Sequence, residues 1–234
     1  MKSLFVIPAR AGSKGIPGKN IRVIGGKPLF LHTLHLARRF TDDRNICITT
    51  NDAAVIALAA ENGYSVPFVR PDELCSDTAP MNDVLKHALH FYEAEGKQYD
   101  TLILLQPTSP FRLARHVEEA MGRFSPDCDM VVSVRETEAN PYYVLFEENQ
   151  DGLLQKSKSG TFTRRQDCPK VWQLNGAVYV INTASLKNKG MQGFSKLIKS
   201  EMEPLYSLDL DNELDWELAM IVNNRFSILP DESH

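Results

Sequence analysis

No acidic residue occurs between Met1 and Thr41, a stretch that holds eight lysines and arginines. The rest of the chain carries 18 basic against 30 acidic residues. A net charge of -4 disfavours a nucleic-acid binder, whereas the acid-free start is suited to meet a small anion. Cysteine is scarce too: Cys47, Cys75, Cys128 and Cys168 lie far apart, with no C-x-x-C pair and no histidines at zinc-ligand spacing. That excludes a disulfide framework or a zinc centre and predicts reduced, mostly structural thiols. His32/His35 and His87/His90 fall three apart on predicted helices, where a packed or solvated face is expected rather than metal ligation. Long apolar runs are missing as well. The run from Leu4 meets Pro8 and Arg10 too early for a signal-peptide core or a membrane span, so a cytoplasmic protein with no membrane partner is expected.

What is present is an alternation of strand and helix patterns. Ser3–Pro8 reads as a buried strand, followed by a glycine-rich loop from Ala9 to Asn20 and a helix after Pro28. Asn45–Thr50 gives a second strand, and Asp52 is placed to cap a helix over Ala53–Asn62 that stops at Gly63. Ser65–Val69 and Thr101–Leu105 read as further strands with a helix at Asn82–Ala94 between them, and Met130–Val134 as another. The fold class is therefore α/β, with a mainly parallel sheet covered on both faces and ligands expected beyond the strands' carboxyl ends. After Asn140 the rhythm changes to a predicted hairpin, Tyr142–Glu147 and Leu153–Lys156, and a polar stretch to Lys170. Alternation resumes at Ala177–Ile181, and the chain closes with an extended Leu205–Leu210 and a helix over Glu213–Phe226. One domain over residues 1–234 with an arm at 140–172 is the economical reading.

Two segments carry chemistry. The loop Arg10-Ala11-Gly12-Ser13-Lys14-Gly15-Ile16-Pro17-Gly18-Lys19-Asn20 has neither the Walker A spacing nor G-x-G-x-x-G, which weakens ATPase and dinucleotide readings. It remains a strand-end loop whose backbone N–H groups and four cations, Arg10, Lys14, Lys19 and Arg22, suit a triphosphate. A solvated basic turn is the alternative; the lack of a nearby acid to pair these charges, and the loop's place at the ligand edge of the sheet, favour the phosphate reading. In Ser207-Leu208-Asp209-Leu210-Asp211 two carboxylates at i and i+2 project from one face of an extended segment. Mg²⁺ or Mn²⁺ held with nucleotide phosphates would relieve their repulsion, although Asp211 alone could cap the following helix. Gln106-Pro107-Thr108-Ser109-Pro110 and Arg70-Pro71-Asp72-Glu73-Leu74 are proline-bracketed loops at strand ends, suited to base and sugar recognition or to ordinary turns.

Taken together, IPAR-x-GSKG-x-P-x-KN, RP-x-EL-x-SDTA, LLQPTSP-x-R, NGA-x-Y and the D-x-D of this sequence resemble the acylneuraminate cytidylyltransferases over nearly the whole chain. The resemblance implies a Rossmann-like nucleotidyltransferase fold and a homodimer in which each arm crosses to the partner's active site. It implies a nucleotide site of Arg10, Ser13, Lys19, Asn20, Arg70 and Ala79, with Arg10, Lys19, Asp209 and Asp211 catalytic. It places Gln106, Asn175, Tyr179 and, from the partner's arm, Arg165 at the sugar acid, and the metal on Asp209 and Asp211. Pro80-Met81-Asn82 departs from the serines that often follow SDTA, so a hydroxyl contact moves to Asn82 or is lost. The implied reaction is transfer of CMP from CTP to the anomeric hydroxyl of a sialic acid. Legionaminic, pseudaminic, deaminated neuraminic or 3-deoxy-octulosonic acid are alternative acceptors, and a non-catalytic nucleotide- or sugar-binding regulator is the alternative of another class.

Overall fold

The structure, a computed structural model, describes residues 1–229. Its centre is a six-stranded sheet built from β1 (Ser3–Pro8), β4 (Ile46–Thr49), β5 (Thr101–Leu104), β6 (Met130–Glu136), β9 (Trp172–Asn182) and β10 (Leu197–Glu201), in the order β10-β6-β9-β5-β1-β4. Two small ribbons lie outside it, β2 (Val23–Ile24) with β3 (Lys27–Pro28), and β7 (Phe146–Glu148) with β8 (Leu154–Lys156). Only β9 runs against its neighbours in the large sheet. Alternation along each strand sends side chains to two apolar layers. Phe5, Ile7, Ile48 and Val180 face α1 (Leu29–Ala37), α2 (Ala53–Glu61) and α4 (Ala114–Gly122), while Leu4, Val6, Leu104 and Ile181 face α3 (Met81–Ala94) and α5 (Thr183–Lys189). The result is the expected three-layer α/β arrangement.

Local signals explain several boundaries. Asp52 accepts from the Ala54 N–H at 2.9 Å and starts α2, as its sequence position predicts. The last helix, α6 (Glu213–Phe226), is capped by Asn212 rather than Asp211: Asn212 Oδ1 accepts from the Asp215 N–H, and Asp215 Oδ2 accepts from the N–H groups of Asp211 and Asn212. Two expected strands differ. Ser65–Val69 makes only an isolated bridge, Thr50 to Val69, because Pro67 lacks a donor at the sheet edge. Leu205–Leu210 opens with a 3-10 turn at Pro204–Tyr206 and joins no sheet.

A third apolar cluster joins the two ends of the described chain. Ile16 from the basic loop, Ile24, Leu29, Phe111, Leu210 from between the two aspartates, and Trp216 and Ala219 of α6 are all buried together with Leu229. Each large side chain in such a cluster stabilises by about 1.5–3 kcal/mol.

Buried His32 supplies a pH dependence. Its Nε2 lies 2.7 Å from the Ile24 carbonyl, and burial pushes its pKa from 6.5 down to about 4. The unfolded chain therefore binds the extra proton, so stability present above pH 6.5 is lost as pH falls toward 4. Between pH 7 and pH 5 the wild type is expected to lose about 2 kcal/mol through this group. Urea titrations at the two pH values check it, and His32→Gln is expected to flatten that part of the slope.

Candidate active site

The carboxyl ends of β1, β4, β5 and β6 share one edge of the sheet, and reversed β9 brings its amino-terminal half to the same edge. From β1 comes the basic loop, tied down by backbone and side-chain bonds. The Ala9 N–H donates to the Thr49 carbonyl at 3.0 Å, Ala11 N–H to Asn51 Oδ1 at 2.9 Å, and Asn20 Nδ2 to the Arg10 carbonyl at 3.1 Å. Asn20 is buried, so its amide shapes the loop from beneath. Ser13 is half-buried on the same loop.

The loop's cations separate into two sets. Arg10 and Lys14 both reach Asp77, Lys14 at 2.6 Å and Arg10 at 2.5 Å. Arg22 points elsewhere: its guanidinium bonds Glu213 at 2.6 Å and lies over the Trp216 ring. The expectation of four cations without an acid is thus corrected, because partners 67 and 191 positions away fold onto them. Lys19 Nζ donates to the Leu210 carbonyl at 2.6 Å, between the two aspartates. Burial lowers its pKa, and the charges of Asp211 and Asp209 act in the opposite sense.

The loop and the D-x-D segment touch. A Cβ built on Gly15 would stand 1.8 Å from the Asp211 carbonyl oxygen, so only glycine permits this approach. With Asn212 and Asp215 forming the helix cap, the Asp211 carboxylate is left outside it. Asp209 is half-buried; burial raises its pKa, a Thr108 hydrogen bond and Lys19 lower it, and Asp211 adds repulsion. Its Oδ1 is buried without a hydrogen-bond partner. A buried, partnerless carboxylate oxygen beside a second carboxylate fits an oxygen-seeking divalent cation. No cluster of three or more acidic, histidine or cysteine groups suited to a metal occurs among the described residues, so such an ion would need oxygens from a ligand or water.

Around Asp209 the predicted sugar residues are sorted by geometry. A Cβ on Gly176, where φ is +72°, would meet Asp209 Oδ2 at 2.9 Å, Gln106 Oε1 at 3.0 Å and Ser109 Oγ at 3.1 Å. Gln106 and Asp209 therefore converge at that glycine, and Tyr179, whose pKa burial and Asp209 raise, lies nearby on β9. Asn175 is different. Its Oδ1 accepts from Ser133 Oγ at 2.6 Å and its Nδ2 donates to Ser207 Oγ at 2.9 Å, so the buried amide is consumed inside the protein. Ser133 also accepts from the Val178 N–H at 2.7 Å, filling the irregularity where β6 and β9 shift register. Arg70 is buried as well, with Nε on Thr49 Oγ1 at 3.0 Å and Nη2 on the Thr49 carbonyl, while the Ala79 N–H closes a turn onto the Ser76 carbonyl at 3.2 Å.

A cavity of about 320 Å³ opens at the aspartates, lined by Asp209, Asp211, Asp215, Asn175, Arg135 and Gln173 among others. Arg135 and Gln173 had no sequence signal; they meet because β6 and β9 pair them, with Arg135 Nη2 donating to Gln173 Oε1 at 3.2 Å. Asp77 was within reach of sequence reasoning, since it sits in the Ser76-Asp77-Thr78-Ala79 motif. Arg165 lies apart, half-exposed on a separate groove and 3.1 Å from Glu138. The segment before it, which holds the β7–β8 ribbon, exposes Val144, Leu145, Phe146, Leu153 and Leu154.

Comparison with known proteins agrees with this arrangement. The family model described as cytidylyltransferase matches residues 4–226. A CMP-N,N'-diacetyllegionaminic acid synthase of Legionella pneumophila is 31% identical over 94% of this chain and 95% of its own. An N-acylneuraminate cytidylyltransferase of Streptococcus agalactiae is 33% identical over 92% of this chain, which spans 52% of that longer protein. Among solved structures, a CMP:2-keto-3-deoxy-manno-octonic acid synthetase complexed with CTP superposes with a TM-score of 0.69 at 19% identity, over 96% of this chain and 99% of that one.

Proposed function

The chain belongs to the cytidylyltransferase family, and we propose from that premise that it transfers CMP from CTP to the anomeric hydroxyl of a nonulosonic acid, releasing pyrophosphate. The carrying observation is the seating of the basic loop directly on the D-x-D segment at the ligand edge of the sheet. Arg10, Lys14 and Lys19 hold the triphosphate and offset charge on the departing pyrophosphate, while the Gly15 contact fixes them relative to Asp209 and Asp211. Arg70 and Asn20 act as supports for that loop edge, and Asn175 as a brace behind Asp209. Bound at Asp209 and Asp211, Mg²⁺ or Mn²⁺ would neutralise phosphate charge and lower the pKa of the attacking hydroxyl. Gln106 and Tyr179 contact the acceptor, whose carboxylate enters beside three aspartates and is drawn to Arg135.

N-Acetylneuraminate is one acceptor; N,N'-diacetyllegionaminate is favoured by a specific observation, the match to a legionaminic relative along nearly its full length. A pyrophosphate-release screen crossing the four nucleoside triphosphates with keto-sugar acids tests the reading. Release is expected with CTP and one nonulosonic acid; silence with every acid would sink the transferase assignment.

The arm supports a homodimer. An exposed apolar patch of this kind is suited to cover by a second copy, and Arg165 would then reach the other subunit's acceptor. Arg165→Ala and Asp209→Ala, each nearly inactive, are expected to recover about a quarter of wild-type turnover after equimolar mixing and subunit exchange. Arg135→Ala, in the same cavity as Asp209, is expected to give no such rescue. A lack of recovery in the first mixture would remove the crossed-arm assignment.

A further inference from the structure

Two of the three cations assigned to the triphosphate are already engaged by a carboxylate. Asp77 Oδ1 accepts from Arg10 Nη2 at 2.5 Å and Asp77 Oδ2 lies 2.6 Å from Lys14 Nζ, so each oxygen takes one cation, as two oxygens of a phosphate would. The other end of the Arg10 fork is turned back on its own loop, with Nη1 donating to the Ala11 and Gly12 carbonyls at 3.2 Å each. Asp77 itself stands on a stretch with little to fix it. It lies between the 3-10 turn at Asp72–Leu74 and α3, in neither strand nor helix, and Ser76, Asp77 and Thr78 are all exposed. Bonds within the stretch are local: the Ala79 N–H donates to the Ser76 carbonyl at 3.2 Å, and the Ser76 and Thr78 hydroxyls lie 3.3 Å apart.

A triphosphate and Asp77 compete for the same donors. Phosphate oxygens that reach Arg10 and Lys14 would meet a carboxylate within hydrogen-bond distance of both, and like charges so close repel. The existing pairs are exchangeable: the Asp77 side chain is 34% exposed and that of Lys14 82%, so water and salt weaken them. The incoming ligand also carries more charge than the carboxylate it replaces. We propose, on the cytidylyl-transfer reading, that Asp77 is a positioning residue that stands in for phosphate: it holds Arg10 and Lys14 in the ligand-free protein, cedes them to the phosphates of CTP, and reclaims them as pyrophosphate departs.

Isothermal titration of the whole chain with CTP and, separately, with pyrophosphate, both with Mg²⁺, tests this. Asp77→Asn is expected to bind each about fivefold more tightly than the wild type, and to lower KM for CTP with kcat no higher. Asp77→Glu, which keeps the charge, is expected to stay within about twofold of the wild type. Asp72→Asn removes an exposed charge from the same stretch and is expected to do likewise. A gain in Asp72→Asn equal to that in Asp77→Asn would reduce the effect to overall charge and overturn the proposal. In a Lys14→Gln background the gain from Asp77→Asn is expected to shrink by about half; an undiminished gain would overturn the exchange at that cation. Weaker or unchanged binding in Asp77→Asn would make Asp77 a structural tie or a ligand contact and overturn the proposal, while CTP binding by the wild type leaves the transfer reading standing. Absence of CTP binding in both proteins would remove both.

Discussion

Asp209→Asn is expected to lower kcat by about a thousandfold while raising the melting temperature of the ligand-free protein. On the proposed reading the loss follows from weakening the carboxylate pair that would hold a divalent cation against the phosphates, and single electrostatic groups of this kind are worth about 10²–10³ in rate. The gain in stability has a separate origin. Burial and Asp211 raise the Asp209 pKa, so its ionised form is disfavoured in the folded state at neutral pH. Sign follows directly: this group costs stability above its folded pKa, and the cost disappears as pH falls through it. A neutral amide of the same shape escapes the cost. Differential scanning fluorimetry with and without Mg²⁺ and CTP reads both effects: the wild type is expected to gain stability on addition and the variant little. A variant that melts lower and keeps wild-type turnover would contradict both the metal role and the burial argument.

Gly15→Ala is expected to cut kcat/KM for CTP at least a hundredfold with the sheet intact. The added methyl would stand 1.8 Å from the Asp211 carbonyl oxygen, far inside contact distance, and backbone on both sides must move. Overpacking of this kind costs about 1–3 kcal/mol of stability. The kinetic cost is larger because displacements of about 1 Å between reacting groups are enough for a hundredfold. Far-UV circular dichroism is expected to stay unchanged while pyrophosphate release falls. Gly12→Ala is the comparison, since nothing lies within 4 Å of the corresponding Cβ, although its φ of +72° brings local strain. Equal losses in the two variants would show that loop conformation, not the approach to Asp211, governs activity.

Much of the layered fold was legible because it depends on local rules. Strand β1, the Asp52 cap and the extent of α6 follow from apolar spacing and capping chemistry within a few residues. Helix α4 and strand β10 carry no such punctuation and were not anticipated. The Ser65–Val69 segment has strand composition, but Pro67 limits its pairing. At the site, the loop and D-x-D were visible as charge patterns, whereas their closure was not. Asp77 pairs with Arg10 from 67 positions away and with Lys14 as well, and Asn175 is consumed by Ser133 and Ser207 from elsewhere in the chain. Side-chain types announce what a residue can bind; only the folded register determines whether its polar atoms are already spent.

The apolar cluster that binds Ile16 to Leu210 and Trp216 also sets an order of completion. All six strands of the large sheet are present once residue 201 has been made, yet Lys19 has its Leu210 carbonyl only 191 positions after itself. A nascent or prematurely terminated chain ending near Met202 would hold a whole sheet and a basic loop with nothing to rest on. The seat of the basic loop thus forms only after the sheet is complete, and loss of the residues that follow Met202 would separate a foldable scaffold from a working one.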